Sequence, residues 1–158
     1  MVKTEFPSAK ESLTKFTSNL YERLNKKNEN CFYSPYSIQV AMGMCLAGSG
    51  GGTQKCLVDL LSLDDDYRSY FNSLNSVCEE NPSYVLKSVN ALWAQMGLKY
   101  KENFATDIVH NYNGSFYDLN YENKSDACEK INYWCDTNTN GKIPKIISEA
   151  VSYTHLRA

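Results

Sequence analysis

The fold is decided by the stretch Asn30-Cys-Phe-Tyr-Ser-Pro-Tyr-Ser-Ile-Gln-Val-Ala-Met-Gly-Met-Cys-Leu-Ala-Gly-Ser-Gly-Gly-Gly-Thr53. The short apolar run at residues 31–33 predicts a strand. Ser34 offers a side-chain oxygen for capping and Pro35 suits the first helical position, so we predict a helix from Pro35. The glycines at residues 48–52 predict where this helix ends, and Thr53 is predicted to cap the next one.

The helix predicted within this stretch has an apolar stripe and two small residues. Its stripe follows the i, i+3, i+4, i+7 spacing of one helical face and consists of Ile38, Ala41, Met42 and Cys45. Gly43 and Ala47 carry little or no side chain, which predicts that a neighbouring element approaches the helix closely.

Three more helices are predicted around it. Ser8 and Glu11 form a capping box for a first helix that runs to about Lys27 and buries Leu13, Phe16, Leu20 and Leu24. The helix after Thr53 is predicted to bury Cys56, Leu57, Leu60 and Leu61. A fourth helix starts after the acidic residues 64–66 and ends at residues 81–82, and its predicted buried face consists of Tyr67, Tyr70, Phe71, Leu74, Val77 and Cys78.

From residue 84 to residue 96 the pattern becomes that of a strand covered on both faces. One face is predicted to hold Val85, Val89, Ala91 and Trp93, and the other Leu86, Leu92 and Met96. Asn90 lies inside this apolar run, where it either makes a specific buried hydrogen bond or sits near a strand end in contact with water.

The chain then returns to helix, strand and helix. A helix with Phe104, Ile108 and Tyr112 is followed by a turn at residues 113–114 and a strand at residues 116–119. A second long motif begins at Ile131 and reads Asn132-Tyr-Trp134, then Thr139, Gly141, Lys142 and Ile143.

These two motifs, with the helices and strands between them, resemble the serpins, the serine protease inhibitor superfamily. The residues that carry the resemblance are Asn30, Pro35, Thr53, Asn90, Asn132, Trp134, Thr139, Gly141 and Lys142. The resemblance implies an α+β fold, with the N-terminal helices and the first strands of the main sheet of an incomplete serpin. Residues 1–147 are expected to be the N-terminal part of one serpin domain. Residues 148–158 are expected to be a tail that does not belong to the natural sequence.

The resemblance also implies an inhibitor of serine endopeptidases whose cleaved loop inserts into the main sheet as a new strand. Its expected partner is a serine or cysteine protease, and the reactive bond is not expected within this chain. Ser34 and Ser37 correspond to small residues beneath the opening of the sheet, although capping alone would also explain Ser34. The alternative is a serpin-fold chaperone, carrier or storage protein that does not inhibit.

Composition argues against other classes of partner. The 158 residues include 16 basic and 18 acidic side chains, a balance that does not favour nucleic acid. Arg68 is surrounded in sequence by acidic residues, so heparin binding through the fourth helix is not expected. Neither a membrane span nor a secretory signal is recognisable. We therefore expect a cytoplasmic protein. In the extracellular alternative, Asn113 and Asn123 would be N-glycosylation sites.

Cysteines and histidines give no sign of catalysis or of a metal site. The six cysteines are too scattered for a zinc motif and are expected to be reduced and buried, with disulfides as the alternative; they are Cys31, Cys45, Cys56, Cys78, Cys128 and Cys135. A cysteine nucleophile would need a partnered histidine, and neither His110 nor His155 has an acidic partner that the sequence identifies. No enzyme activity, metal or cofactor is expected.

Overall fold

The computed structural model describes residues 7–25, 29–64, 67–79, 83–84 and 86–148. Within these residues the chain forms α1 (Pro7–Leu24), α2 (Pro35–Ala47), α3 (Gly51–Leu60), α4 (Tyr67–Glu79), β1 (Asn90–Gln95), α5 (Glu102–Tyr112), β2 (Gly114–Leu119) and α6 (Lys124–Asn138). The predicted α+β class is confirmed.

The two strands form a parallel sheet that is covered by helices on both faces. They pair from Asn90 with Gly114 to Gln95 with Leu119, and α5 makes the crossover that a parallel pair requires. Leu92 and its partner Phe116 pack against the cluster built by α2, α4 and α5. Leu119, on the opposite face, packs against α6, as the prediction of a doubly covered strand requires.

The main core joins α2, α4 and α5 beneath the sheet. Its buried members are Val40, Met44, Tyr70, Phe71, Leu74, Ile108 and Tyr112. A Cβ atom placed on Gly43 would lie 2.5 Å from the Phe71 ring and 2.8 Å from the Tyr112 ring. The two rings pack on each other with centroids 4.8 Å apart. Gly43 therefore allows α2 to contact both neighbouring helices directly, as its small size predicts.

One polar side chain lies inside this core and is fully satisfied. Gln39 is completely buried, donates to the Leu61 carbonyl over 2.8 Å and accepts a hydrogen bond from the Tyr70 hydroxyl. It thereby ties α2 to α4 and to the turn after α3. Because an unpartnered amide at this depth would cost about 1 to 3 kcal/mol, the three elements are held in one arrangement.

The predicted buried stripe of α2 is wrong. Ala41 and Cys45 are exposed, and Ile38 and Met42 are only partly buried. The fully buried residues are instead Gln39, Val40, Gly43, Met44 and Leu46. Since this helix is apolar around most of its circumference, its pattern does not reveal which side faces the core.

Two predicted helix starts are also wrong. Helix α1 already includes Pro7, so Ser8 lies in the first turn and not at the cap. Helix α3 begins at Gly51 with Gly50 at the N-cap, which places Thr53 in the first turn. Gly51 has φ +59°, a conformation that glycine adopts without strain, and α3 begins three residues earlier than predicted.

The strands are shorter than predicted. Residues 31–33 form no strand, and Phe32 is fully exposed. Residues 86–89 and Met96 lie outside β1, with Leu86 and Met96 also exposed. A strand needs a partner for its backbone groups, and the described residues offer one only to residues 90–95.

Burial differs from the prediction at several helical positions. Leu24, Cys56 and Leu60 are exposed, as are Cys31 and Cys45. Among the five cysteines whose side chains are described, the expectation of burial holds for Cys128 and Cys135 alone. Other predictions lie outside the described residues: the helix end near Lys27, the stop at residues 81–82, Val85, and residues 149–158 with His155. The side chains of Val77 and Cys78 are likewise not described.

Replacing Gly43 by alanine should destabilise the protein. The new methyl group would overlap two buried rings, and overpacking of this kind costs about 1 to 3 kcal/mol of unfolding free energy. Gly52→Ala is the matched control, because its Cβ meets nothing within 4 Å and alanine favours helix. Urea denaturation compares the two variants. Equal stability of both would contradict the packing described for Gly43.

Candidate functional site

The two serines predicted to support sheet opening form a hydroxyl pair at the start of α2. Ser34 is the N-cap, with φ −109° and ψ 105°, and its Oγ accepts a hydrogen bond from the Ser37 N–H over 3.2 Å. The Ser37 hydroxyl donates to the same Ser34 Oγ over 3.0 Å. Both residues are exposed. Capping by Ser34 is thus present, and Ser37 bonds to a side chain rather than to backbone.

Asn90 is part of the sheet, whereas Trp134 packs on the sheet from α6. Asn90 is the first residue of β1, is partly buried and pairs with Gly114. This is the strand-end position that was one of its two predicted environments. Trp134 of α6 lies edge-on to Trp93, with centroids 6.1 Å apart, and its indole N–H donates to the Tyr117 hydroxyl over 3.1 Å. It attaches α6 to both strands.

Asn132 fastens the segment that follows α6. Its Nδ2 donates to the Ile147 carbonyl over 2.9 Å, and its Oδ1 accepts from the N–H groups of Ile146 and Ile147 over 2.9 and 3.1 Å. One side chain thereby makes three hydrogen bonds to backbone that is 14 and 15 residues further along the chain.

The residues after Asn132 in the motif build the turn between α6 and this segment. Thr139 donates its hydroxyl hydrogen to the Cys135 carbonyl over 2.8 Å and accepts from the Ile143 N–H over 3.0 Å. Gly141 has φ +74°, the left-handed conformation that glycine favours, and its N–H reaches the Asp136 carbonyl. The Lys142 side chain is exposed, and nothing in the described structure explains why a lysine occupies this position of the motif.

The remaining predicted residues belong neither to the serine pair at the start of α2 nor to the motif around Asn132. Asn30 is exposed in the segment before α2, and Thr53 is exposed in α3. Of the two glycosylation sequons, Asn113 ends α5 in a left-handed conformation with φ 49°, and Asn123 caps α6 by accepting from the Asp126 N–H over 3.3 Å. Both asparagines are exposed.

Several residues that position the site were not singled out from the sequence. Tyr117 stacks on Trp93 with centroids 4.6 Å apart, and Tyr121 donates its hydroxyl hydrogen to the Trp93 carbonyl over 3.0 Å. The Tyr121 N–H also donates to Gln95 Oε1. The sequence shows only that aromatic residues occur within β2 and shortly after it, and this does not reveal which strand they contact.

The electrostatics of the described residues do not suggest an acid–base centre. Burial raises the pKa of the Tyr121 phenol, and burial followed by the nearby Asp136 raises the pKa of the Cys135 thiol. Burial also raises the pKa of Tyr112 well above its ordinary value. Each shift favours the neutral form, whereas a nucleophile would need the ionised one.

Neither a metal-binding cluster nor a membrane-spanning helix is found among the described residues. No group of three or more histidine, cysteine, aspartate or glutamate side chains within the described ranges is placed to hold a metal ion. None of the described helices combines the length and apolar character needed to cross a bilayer. His110 is exposed on α5.

Sequence relatives extend over most of the chain. The family model described as Serpin (serine protease inhibitor) matches residues 11–156. A serpin-like protein of Thermococcus kodakarensis is 34% identical over 153 residues, covering 92% of this chain and 35% of that protein. The leukocyte elastase inhibitor of Xenopus tropicalis is 31% identical over 152 residues, covering 90% of this chain and 40% of that protein.

Solved structures show the same fold. Mouse protein-Z dependent protease inhibitor superposes with a TM-score of 0.80 at 21% identity, covering 89% of this chain and 40% of the other. The chain therefore spans between 35% and 40% of the length of these three proteins. This partial coverage explains why the structure contains only some of the helices and strands of the α+β fold of these proteins. On the family match and these relatives, the chain belongs to the serpin family.

Proposed function

We propose that the protein to which this chain belongs inhibits serine endopeptidases by the serpin mechanism. The serine of the target protease attacks a peptide bond in an exposed loop, which breaks that bond and joins the loop to the enzyme as an ester. The cleaved loop then enters the main sheet as an additional strand and carries the protease with it. The distorted protease cannot hydrolyse the ester, so the complex persists.

Membership of the family and the names of its relatives support this proposal. The matching family model is described as a serine protease inhibitor, and a relative that is 31% identical is named as an elastase inhibitor. The loop and its reactive bond are not assigned to any residue of this chain. We infer that the chain contributes scaffold to inhibition and has no catalytic role of its own.

The observation that carries the proposal is the match of residues 11–156 to the serpin family model. The parallel pair of β1 and β2 is the part of the main sheet that this chain contributes. Within the described residues β1 pairs with β2 along one edge only. Its other edge presents backbone donors and acceptors, and such an edge is where a sheet gains a further strand. Helices α2, α4 and α5 cover one face of the sheet and α6 the other, so among the described residues a further strand can be added only at an outer edge of β1 or β2.

Ser34 and Ser37 are proposed to serve both the helix and the sheet. Their two hydroxyls bond each other and are exposed at the start of α2, the helix that lies beneath the sheet. Small side chains in this position leave room for strands to move above them. A larger side chain at either position would obstruct that movement.

The proposed setting is a reducing compartment such as the cytoplasm, and heparin is not proposed as an activator. Cys31, Cys45 and Cys56 are exposed and unpaired, a state that thiols keep in reducing surroundings. Arg68 is the single basic residue in the sequence of α4, and it pairs with Asp107 over 3.2 Å. One neutralised cation does not make a polyanion site.

Replacing Ser34 by alanine should lower the unfolding free energy by about 1 kcal/mol, since the N-cap hydrogen bond is lost. Ser34→Gly is the matched control and should cost only a few tenths of a kcal/mol, because glycine leaves the backbone groups accessible to water. Urea denaturation monitored by circular dichroism measures both variants. Equal losses for alanine and glycine would contradict the assignment of Ser34 as a cap.

Mixing the whole protein with active proteases should give a covalent complex. We expect a band of combined mass that survives denaturing gel electrophoresis with a trypsin-, chymotrypsin- or elastase-like enzyme. The control is the same protease with its active-site serine chemically blocked, which cannot form the ester and should give no such band. Cleaved protein together with free, active protease in every mixture would contradict inhibition and favour a non-inhibitory member of the family.

A further inference from the structure

A cavity of about 560 Å³, here called the α5 cavity, lies between the end of α2, the start of α4, the loop after β1 and the first half of α5. Its volume is that of a site for a small molecule. The backbone of Gly48 closes it on one side by resting on the ring of Phe104, since a Cβ atom at Gly48 would lie 2.9 Å from that ring.

The charged residues that line the α5 cavity are three cations and one carboxylate. Arg68 Nε donates to Asp107 Oδ2 over 3.2 Å, so these two charges compensate each other. The ammonium groups of Lys99 and Lys101 have no ion-pair or hydrogen-bond partner in the described part of the chain. The cavity therefore carries an excess of two positive charges, both on the loop that leads into α5.

The first turn of α5 borders the same space. Its N-cap is Lys101, whose side chain offers no acceptor, and no side-chain cap hydrogen bond is present. N–H groups at the start of a helix lack an intrahelical partner and carry partial positive charge. Lys101 and Asn103 both line the cavity, whereas Glu102, the acidic residue of this turn, is exposed and lies outside the lining. The helix start thus adds to the positive potential of the cavity.

A buried hydroxyl without a partner lies near the Arg68–Asp107 pair. Tyr112 is completely buried, and its Oη makes no hydrogen bond to any described residue. Arg68 and Asp107 both act electrostatically on this phenol, which places it near the part of the cavity wall that they form. A buried hydroxyl that stays unpaired costs free energy. This side of the cavity therefore favours an additional hydrogen-bond acceptor that the chain itself does not supply.

We propose that the α5 cavity binds a small phosphate compound, with Lys99 and Lys101 contacting its phosphate oxygens. A phosphate group carries nearly two negative charges at neutral pH, which matches the two unpaired lysines, whereas a single carboxylate carries one. Its oxygens also accept hydrogen bonds from N–H groups at a helix start. The rings of Tyr100 and Phe104 line the cavity and offer an apolar surface to the rest of the molecule.

A sulfated polysaccharide is not the expected occupant. The unpaired cations lie on the loop before α5, and Arg68, the single basic residue in the sequence of α4, is paired with Asp107. The site is separate from the serine pair at the start of α2 and does not rest on the proposed inhibition of proteases.

Alkylation of cysteine thiols in the whole protein by iodoacetamide tests the site, with inorganic pyrophosphate as the ligand. Cys45 lines the α5 cavity and is exposed, whereas Cys56 is equally exposed on α3 but outside the lining. We expect pyrophosphate at about ten times its Kd to slow alkylation of Cys45 about tenfold, because only the unoccupied fraction reacts. Cys56 should react at an unchanged rate. Peptide mass spectrometry measures both.

Titration calorimetry of charge variants identifies the groups that bind. Combining Lys99→Gln with Lys101→Gln should raise the Kd for pyrophosphate about tenfold, since two charge-assisted contacts are lost. Both lysines are exposed, so the fold should not change. Lys142→Gln is the matched control, an exposed lysine beyond α6, and should leave the Kd unchanged. Asp107→Asn should lower the Kd, because it removes the only carboxylate of the lining and frees Arg68.

Unprotected Cys45, or the same Kd for the double lysine variant and for Lys142→Gln, would overturn the proposal. A higher Kd in Asp107→Asn would also contradict it, since the pair would then be needed intact. Heparin serves as the competing anion. Tighter binding of heparin than of pyrophosphate would overturn the assignment of a small ligand and indicate a polysaccharide surface instead.

Discussion

The contact of Gly43 with the rings of Phe71 and Tyr112 is the constraint on which the rest of the structure depends. It sets the separation of α2, α4 and α5, because no side chain stands between the α2 backbone and the two rings. These three helices form the surface on which Leu92 and Phe116 rest. The position of both strands follows from how closely the helices meet. Gln39, satisfied by Leu61 and Tyr70, prevents the same helices from rotating into an alternative packing.

Features that depend on neighbouring residues, such as the start of α2, were easier to predict from the sequence than contacts between distant elements. Ser34 and Pro35 correctly predicted the start of α2, because N-capping and the preference of proline for the first helical position depend on adjacent residues only. The orientation of α2 was not predictable, since an almost uniformly apolar helix leaves its buried side to be chosen by its neighbours. The strand at residues 31–33 failed for a similar reason: strand formation depends on a partner that the local sequence does not contain.

The same distinction applies to the site. The motif around Asn132 was recognised by resemblance, but its physical role depends on Ile146 and Ile147, which lie 14 and 15 residues away. No local pattern connects an asparagine to backbone at that distance. Tyr117 and Tyr121 were missed because their contacts with Trp93 cross from one strand to the other. Resemblance singled out these residues, and the structure supplied the contacts that some of them make.

The two faces of the sheet are held in different ways. Beneath it, aromatic and aliphatic side chains pack without a gap at Gly43. Above it, α6 is anchored by Trp134 and Ile131, and residues 143–147 that follow are held by hydrogen bonds to the side chains of Asn132 and Thr139. Apolar packing therefore dominates below the sheet, whereas the end of the upper layer relies on side-chain hydrogen bonds.

The central claim is that this chain is scaffold for a sheet that accepts a further strand, and one measurement tests it most directly. The thermal unfolding midpoint of the whole protein should be determined before and after its exposed loop is cut by a protease that it does not trap. Insertion of the cut loop adds hydrogen bonds and buried area to the sheet, so the account predicts a clearly higher midpoint after cleavage. An unchanged or lower midpoint would contradict it.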